Sequence, residues 1–314
     1  MAQEVPGIDL KHFEIFAEEF FFSSGTAEAL TPKIPPGTPL SQAWVAFDLL
    51  RGKIMAKVYF MPILKWIQTG IPTRVLVSRA VQKCSGKYGT YDAPMKLLDS
   101  YLESFVPGSG PVVEMVAIDC VDSPDSRIKV YLRTDVNTLA KAKVIYTLGG
   151  RLSGEAIDAG LEALTELWPI LFRLEGSDFE NTEVFPRGSY CGCAVEMKAG
   201  HAQPGTKIHI PVRKINVTDA QLCQSLSAWF AKRGHRDFAA TYEENLRAAF
   251  PDHNFNTTNG THTFVSFAYT KKTGVYMTMY YSTKIFGVQV NKDYWKGYDN
   301  LWSVAAGSSI PGRD

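Results

Sequence analysis

Lys57-Val58-Tyr59, Arg127-Ile128-Lys129-Val130-Tyr131 and Lys207-Ile208-His209 repeat one pattern, a basic residue, an apolar residue and a ring, on the second strand of successive hairpins. The first hairpin runs from Trp44 to Leu50, turns at Arg51-Gly52 and returns from Ile54 to Phe60. The second runs from Val112 to Asp119, turns around Ser123-Pro124-Asp125-Ser126 and returns from Arg127 to Leu132. The third joins Tyr190–Met197 to Lys207–Val212, and the fourth joins Thr261–Tyr269 to Val275–Tyr281 across a turn at Lys271 to Gly274. Short runs rich in β-branched and aromatic residues between Gly, Pro, Asp and Ser clusters have the composition of paired strands.

Helical patterns with suitable starts and stops separate these hairpins. Asp9 opens Leu10 to Phe22, Asp92 precedes Pro94 to Phe105, and Ser153 precedes Glu155 to Phe172. Thr218 and Asp219 open a helix to Lys232, and Phe238 to Phe250 ends at Pro251. Lys57 and Lys129 are 72 residues apart, Lys129 and Lys207 are 78 apart, and Lys207 and Tyr280 are 73 apart. That period is too long for a stacked solenoid. The pattern predicts an α+β fold: an antiparallel β-barrel of repeated α-β-β-α units with the helices outside, in about four repeats, as one domain over residues 1–314.

Strand side chains alternate between faces, so Val58, Val130 and Ile208 point toward the helices while Lys57, Arg127, Lys129, Lys207 and the neighbouring rings share the opposite, lumenal face. Cations gathered inside a barrel are costly unless an anion satisfies them, which points to a polyanion of about the charge of a diphosphate. No Asp-Asp-x-x-Asp sequence is present to hold that diphosphate through a metal ion. Positive side chains can instead stabilise a departing anion, and tyrosine rings can screen the carbocation it leaves. The reaction this describes is an electrophilic alkylation.

Composition narrows the alternatives. The chain has 314 residues, 45% of them hydrophobic and 21% charged, and a net charge of +1, which excludes the broad basic surface of a nucleic-acid coat or a membrane-surface protein. Any cationic site must be local. The N-terminus lacks a signal-peptide pattern and no long apolar run occurs, so a cytoplasmic chain is expected. The five cysteines have no metal-ligand spacing and are expected as reduced core thiols.

The ordered set Gly7-Ile-Asp-Leu10, Ala46-Phe-Asp-Leu with Lys57-Val-Tyr-Phe60, Arg127 to Leu132, Lys207 to Val212, and Phe264 to Tyr269 before Tyr276 to Tyr281 resembles the fungal aromatic prenyltransferases of the dimethylallyltryptophan synthase family. The resemblance spans roughly residues 7 to 285 and implies the ABBA barrel, in which an isoprenyl diphosphate meets an aromatic acceptor without a metal or other cofactor for the transfer. It implies diphosphate-binding roles for Lys57, Arg127, Lys129 and Lys207, and a carbocation shield of Tyr59, Tyr131, Tyr269 and Tyr280, with Tyr276 and Tyr281 nearby.

Departures from the family pattern bear on the acceptor. His209 replaces a usual tyrosine and adds a group that titrates near neutrality; Met61 stands at a second frequent shield tyrosine. Trp44 occupies about the place of a lysine in tryptophan-specific members, and Glu114 about that of an arginine for the acceptor's carboxylate. Trp44 and Met61 are therefore expected at the acceptor pocket, unless Trp44 is core filling. Glu114 and His209 are the candidate proton-transfer groups, with a solvated strand end as the other reading of Glu114. The family's first repeat has no counterpart before Asp9, so the eight-stranded remainder is expected to close alone, to pair with a second copy or partner chain, or to be impaired. Three functions follow: prenyl transfer to an indole or other aromatic intermediate, cyclisation or rearrangement of a prenylated intermediate, or a non-catalytic binding subunit.

Overall fold

A computed structural model describes residues 7–34, 41–50, 52–106, 108–122, 125–186 and 189–283. The expected turn residues Arg51, Ser123 and Pro124 lie outside them. The described strands are β1 (Ala43–Leu50), β2 (Lys53–Phe60), β3 (Val112–Asp119), β4 (Arg127–Thr134), β5 (Cys191–Lys198), β6 (Gly205–Ile210), β7 (His262–Thr270) and β8 (Gly274–Tyr281). They lie in one sheet in chain order, and the β1–β2, β2–β3, β3–β4, β6–β7 and β7–β8 pairings are antiparallel. All eight coincide with the expected hairpin strands to within two residues at each end.

The helices are α1 (Lys11–Phe20), α2 (Ser24–Leu30), α3 (Pro62–Thr69), α4 (Thr73–Tyr88), α5 (Asp92–Glu103), α6 (Leu139–Tyr146), α7 (Glu155–Phe172), α8 (Asp219–Lys232) and α9 (Arg236–Ala249). Five of these were expected; α2, α3, α4 and α6 are additions. The described residues form two compact units. One takes in 7–134 with Ala194–Thr206, the other Asp135–Cys193 with 207–283, so β5 and β6 contribute to both.

In the first unit, α1 starts where the Asp9 side chain accepts the Lys11 backbone N–H at 2.8 Å. The Asp9 N–H donates to the Cys120 carbonyl at 3.0 Å, which ties the start of α1 to the end of β3. The helix then lays its aromatic face on β2. Phe60, fully buried, has the rings of Phe13, Phe16, Phe20 and Phe21 at centroid distances of 5.8, 5.7, 5.7 and 5.5 Å. At the β1 edge, Val45, Phe47 and Leu49 are exposed, as is Ile54 opposite Leu49.

In the second unit, α7 buries Leu164, Leu167, Trp168 and Leu171, and packs on β7 and α8. Thr218 and Gln221 form a reciprocal capping box that satisfies two N-terminal donors of α8. Asp219, next in sequence, accepts the Thr261 and His262 backbone N–H groups at 3.1 and 3.0 Å and the His262 Nδ1–H at 2.9 Å. His262 Nε2 meets the Tyr242 hydroxyl at 3.0 Å, and Tyr242 meets the Tyr281 hydroxyl at 2.9 Å. One buried carboxylate thus joins α8, β7, α9 and β8.

Two stability outcomes follow. Phe60→Ala removes the ring that four others pack on, and should cost about 3–5 kcal/mol in a denaturant titration. Burial raises the Asp219 carboxyl, but hydrogen bonds from the His262 side chain and from the His262 and Thr261 backbone outweigh it and hold the group below its ordinary value. Its stabilisation is therefore complete above the unfolded carboxylate value of about 4 and is lost as pH falls through the lower folded value. Asp219→Asn should lower the melting temperature at neutral pH, and the gap from wild type should narrow as pH falls below about 4.

Candidate functional site

Alternation along the second strands divides their residues between two faces. Val58 and Phe60 on β2, Ile128, Val130 and Leu132 on β4, and Ile208 and Ile210 on β6 are buried. Lys57, Tyr59, Arg127, Lys129, Tyr131, Lys207 and His209, one position out of step with them, are partly exposed. The basic and ring residues therefore occupy the face opposite the apolar one, as their spacing predicts.

The first unit brings three of the expected cations together. Lys57 on β2 lies directly across from Asp119 on β3, and Ala117 lies across from Lys129 on β4. Asp119, only 2% exposed, accepts Arg127 Nε at 2.5 Å on one oxygen and Lys129 Nζ at 3.3 Å on the other. Arg127 reaches Glu196 on β5 at 3.2 Å, and Lys57 is paired with Asp48 on β1. Three carboxylates thus face three cations that were expected to await an external anion. Burial lowers the Lys129 ammonium; the Asp119 charge opposes that shift, while Arg127 and Lys57 add to it. Burial also pushes Arg127 down, but Glu196 and Asp119 more than compensate and its pKa is raised.

Tyr59, Tyr131, Trp44, Met61 and Glu114 lie in the same unit. The Tyr59 and Tyr131 rings lie 5.8 Å apart, centre to centre. Trp44 is across the strand pair from Tyr59 and is exposed. Met61 is buried with Leu30, Ile63, Leu64 and Ile67, and Tyr59 packs against the same group. Glu114 sits where the β3–β4 register shifts between Val113 and Met115, an irregularity that re-aims a side chain. Its carboxylate lies 3.8 Å from Arg133, a cation with 5% side-chain exposure. Arg133 was missed, although it continues the alternation of Arg127, Lys129 and Tyr131 on one face. Asp48, Asp119 and Glu196 were missed as members of the cluster as well.

The second unit carries Lys207 and His209. Lys207 Nζ donates to Thr278 Oγ1 at 2.9 Å and lies 4.6 Å from the centre of the Tyr276 ring. The His209 and Tyr280 rings are 5.8 Å apart. Tyr276, Thr278 and Tyr280 alternate on this face of β8. Tyr269 does not join them: its register partner is Val275, which puts it on the face of Phe267 and Met277. The Tyr146 hydroxyl bonds to the Tyr269 backbone there. Tyr281 also leaves the set, being held on that other face by Tyr242. The five cysteines are buried and unpaired by disulfides, and burial pushes the Cys84 and Cys193 thiols up to about 12, which leaves them poor nucleophiles. Among the described residues, no group of His, Cys, Asp and Glu side chains is arranged to hold a metal ion, and no helix is long and apolar enough to cross a membrane.

Comparison with known proteins adds the following. Residues 1–245 match the family model described as tryptophan dimethylallyltransferase. The chain is 38% identical over 294 residues to prenyltransferase iacE of Pestalotiopsis fici, an alignment that covers 91% of this chain and 67% of that protein. It is 36% identical over 284 residues to a 7-dimethylallyltryptophan synthase of Aspergillus fumigatus, covering 89% of this chain and 60% of the relative. Among solved structures, AnaPT from Neosartorya fischeri superposes with a TM-score of 0.77 at 27% identity, over 90% of this chain and 67% of that one. NotF in complex with brevianamide F and DMSPP superposes with a TM-score of 0.76 at 25% identity, over 89% of this chain and 67% of that one. The chain thus spans about three fifths to two thirds of the length of the proteins it matches.

Asp119 is the joint of the cationic cluster. Asp119→Ala leaves Arg127 and Lys129 without their buried counter-charge and should cost about 3–5 kcal/mol of stability, measurable by denaturant titration.

Proposed function

The chain belongs to the tryptophan dimethylallyltransferase family, and from that premise we propose that it transfers a dimethylallyl or longer prenyl group from its diphosphate to an indole or other aromatic acceptor, without a metal ion. The observation that carries this reading is the grouping of Lys57, Arg127 and Lys129 on one strand face beside the paired rings of Tyr59 and Tyr131. The 36% identity to a 7-dimethylallyltryptophan synthase supports dimethylallyl as the transferred group and an indole as the acceptor.

In the proposed reaction the bond between the prenyl carbon and the diphosphate oxygen breaks, and its electron pair leaves with the diphosphate. Lys57, Arg127 and Lys129 stabilise that departing charge in a partly dehydrated setting, where fixed charges act more strongly than in water. The tyrosine π-faces hold off water and favour the prenyl cation until the ring carbon of the acceptor attacks it. The ring then loses a proton, and Glu114 is the proposed acceptor for it, aimed by the irregularity in β3 and oriented by Arg133. In the second unit, taken by itself, Lys207 is proposed as an anion-binding cation beside the rings of Tyr276 and Tyr280, and His209 as a proton-transfer group. Trp44, exposed next to Tyr59, is the proposed acceptor-side residue.

The test is turnover by the purified chain with dimethylallyl diphosphate and a panel of tryptophan, indole and cyclic dipeptides in EDTA, with products identified by a mass gain of one C5H8 unit. Turnover should persist in EDTA, and Lys57→Ala and Lys129→Ala should each lower kcat/KM by about 10²–10³-fold. Undiminished turnover in both variants, or a strict requirement for a divalent ion, overturns the proposal.

A further inference from the structure

The three first-unit cations assigned to the diphosphate, Lys57, Arg127 and Lys129, already have anionic partners, and those partners are of two kinds. Asp119 is 2% exposed and touches two cations, Arg127 and Lys129. Asp48 and Glu196 are 37% and 31% exposed and each touches one, Lys57 and Arg127 respectively. An incoming diphosphate therefore meets a locally neutral cluster rather than free positive charge. A carboxylate that stayed on its cation would repel the ligand at close range and hold hydrogen-bond donors the ligand needs. A buried carboxylate shared by two cations has nowhere better to go, whereas a half-exposed one with a single partner can turn into water.

We propose that Asp48 and Glu196 are internal counter-anions that occupy Lys57 and Arg127 in the empty site and are exchanged for the diphosphate, while Asp119 stays in place as the positioning residue for Arg127 and Lys129. This rests on the assignment of the diphosphate to these cations. In the empty protein the counter-anions keep Lys57 and Arg127 ordered and satisfied, which limits the reorganisation that ligand binding requires. The exchange lowers affinity for diphosphate, including the diphosphate released by turnover, and so favours product release. Charge supports the division of roles: with Asp119 kept, Lys129 retains the neighbour that opposes loss of its proton on burial.

Isothermal titration of the full chain with inorganic diphosphate, at one pH and ionic strength and in EDTA, tests this. Asp48→Asn and Glu196→Gln should each bind diphosphate about three- to tenfold more tightly than wild type, the range expected for removing one partly screened like charge. Lys57→Met should weaken binding, and in that background Asp48→Asn should bring no further gain, because its effect acts through Lys57. A general change in folding would not disappear in this selective way. If wild type binds diphosphate in a Lys57-dependent manner but neither carboxylate variant binds more tightly, the exchange is overturned and the functional reading stands. If wild type and Lys57→Met bind equally, or wild type does not bind at all, the diphosphate assignment falls and the exchange with it.

Discussion

A carboxylate almost out of contact with water, Asp119, sets the terms for the first unit. Its charge is tolerable only because two cations stand against it, and it is in turn the carboxylate that both cations share. The β3–β4 register supplies this balance: it places Lys129 opposite Ala117, one alternate step from Asp119, and brings Arg127, the first residue of β4, level with Asp119, the last of β3. Ser126 bonds the Asp119 carbonyl at 2.7 Å, so the backbone at the end of the strand is held as well as its side chain. A cluster built this way has its cations oriented before any ligand arrives.

The same two-residue period does opposite work on the two faces of each strand. On β2 it sends Val58 and Phe60 into an aromatic core under α1, and Lys57 and Tyr59 to the functional face. A slip of one residue would turn Lys57 to the buried face and Phe60 to the face that carries Asp119, so the packing of α1 and the charge pairing specify one register together. This is why the strand residues that look most like site residues are also those whose neighbours are most deeply buried.

That period makes the hairpins and their basic and ring residues legible in the amino-acid sequence itself. Asp119 and Glu196 are not legible there as partners, because a pairing such as that of Arg127 with Glu196 joins positions 69 residues apart and depends on strand register. Arg133 needs no such information; the same step of two from Tyr131 points to it. The helix α4 shows a different difficulty. Its buried face, Leu76, Val77, Ala80, Val81 and Cys84, has helical spacing, but valines and a Ser-Gly pair near its end weaken the helical signal. Tyr269 and Tyr281 illustrate how tyrosines close in sequence divide when strand parity is applied: 276 and 280 share a parity on β8 that 281 does not, and the β7–β8 pairing sends 269 to the face of Val275.

In the second unit that division has a structural use. Tyr280 and Tyr281 are consecutive and point to opposite faces of β8, so whatever fixes one fixes the backbone that carries the other. Tyr281 is the outer end of a chain of hydrogen bonds through Tyr242 and His262 to Asp219, which also holds the first turn of α8 and the start of β7. Trp229 of α8 donates its indole N–H to Met277 at 3.0 Å, a second hold on the same face two steps nearer the turn. Between these two points lies Thr278, the residue that receives Lys207. The helix-facing side of β8 is therefore anchored on both sides of the position where the other side holds its cation, and Lys207 is set by groups it does not touch.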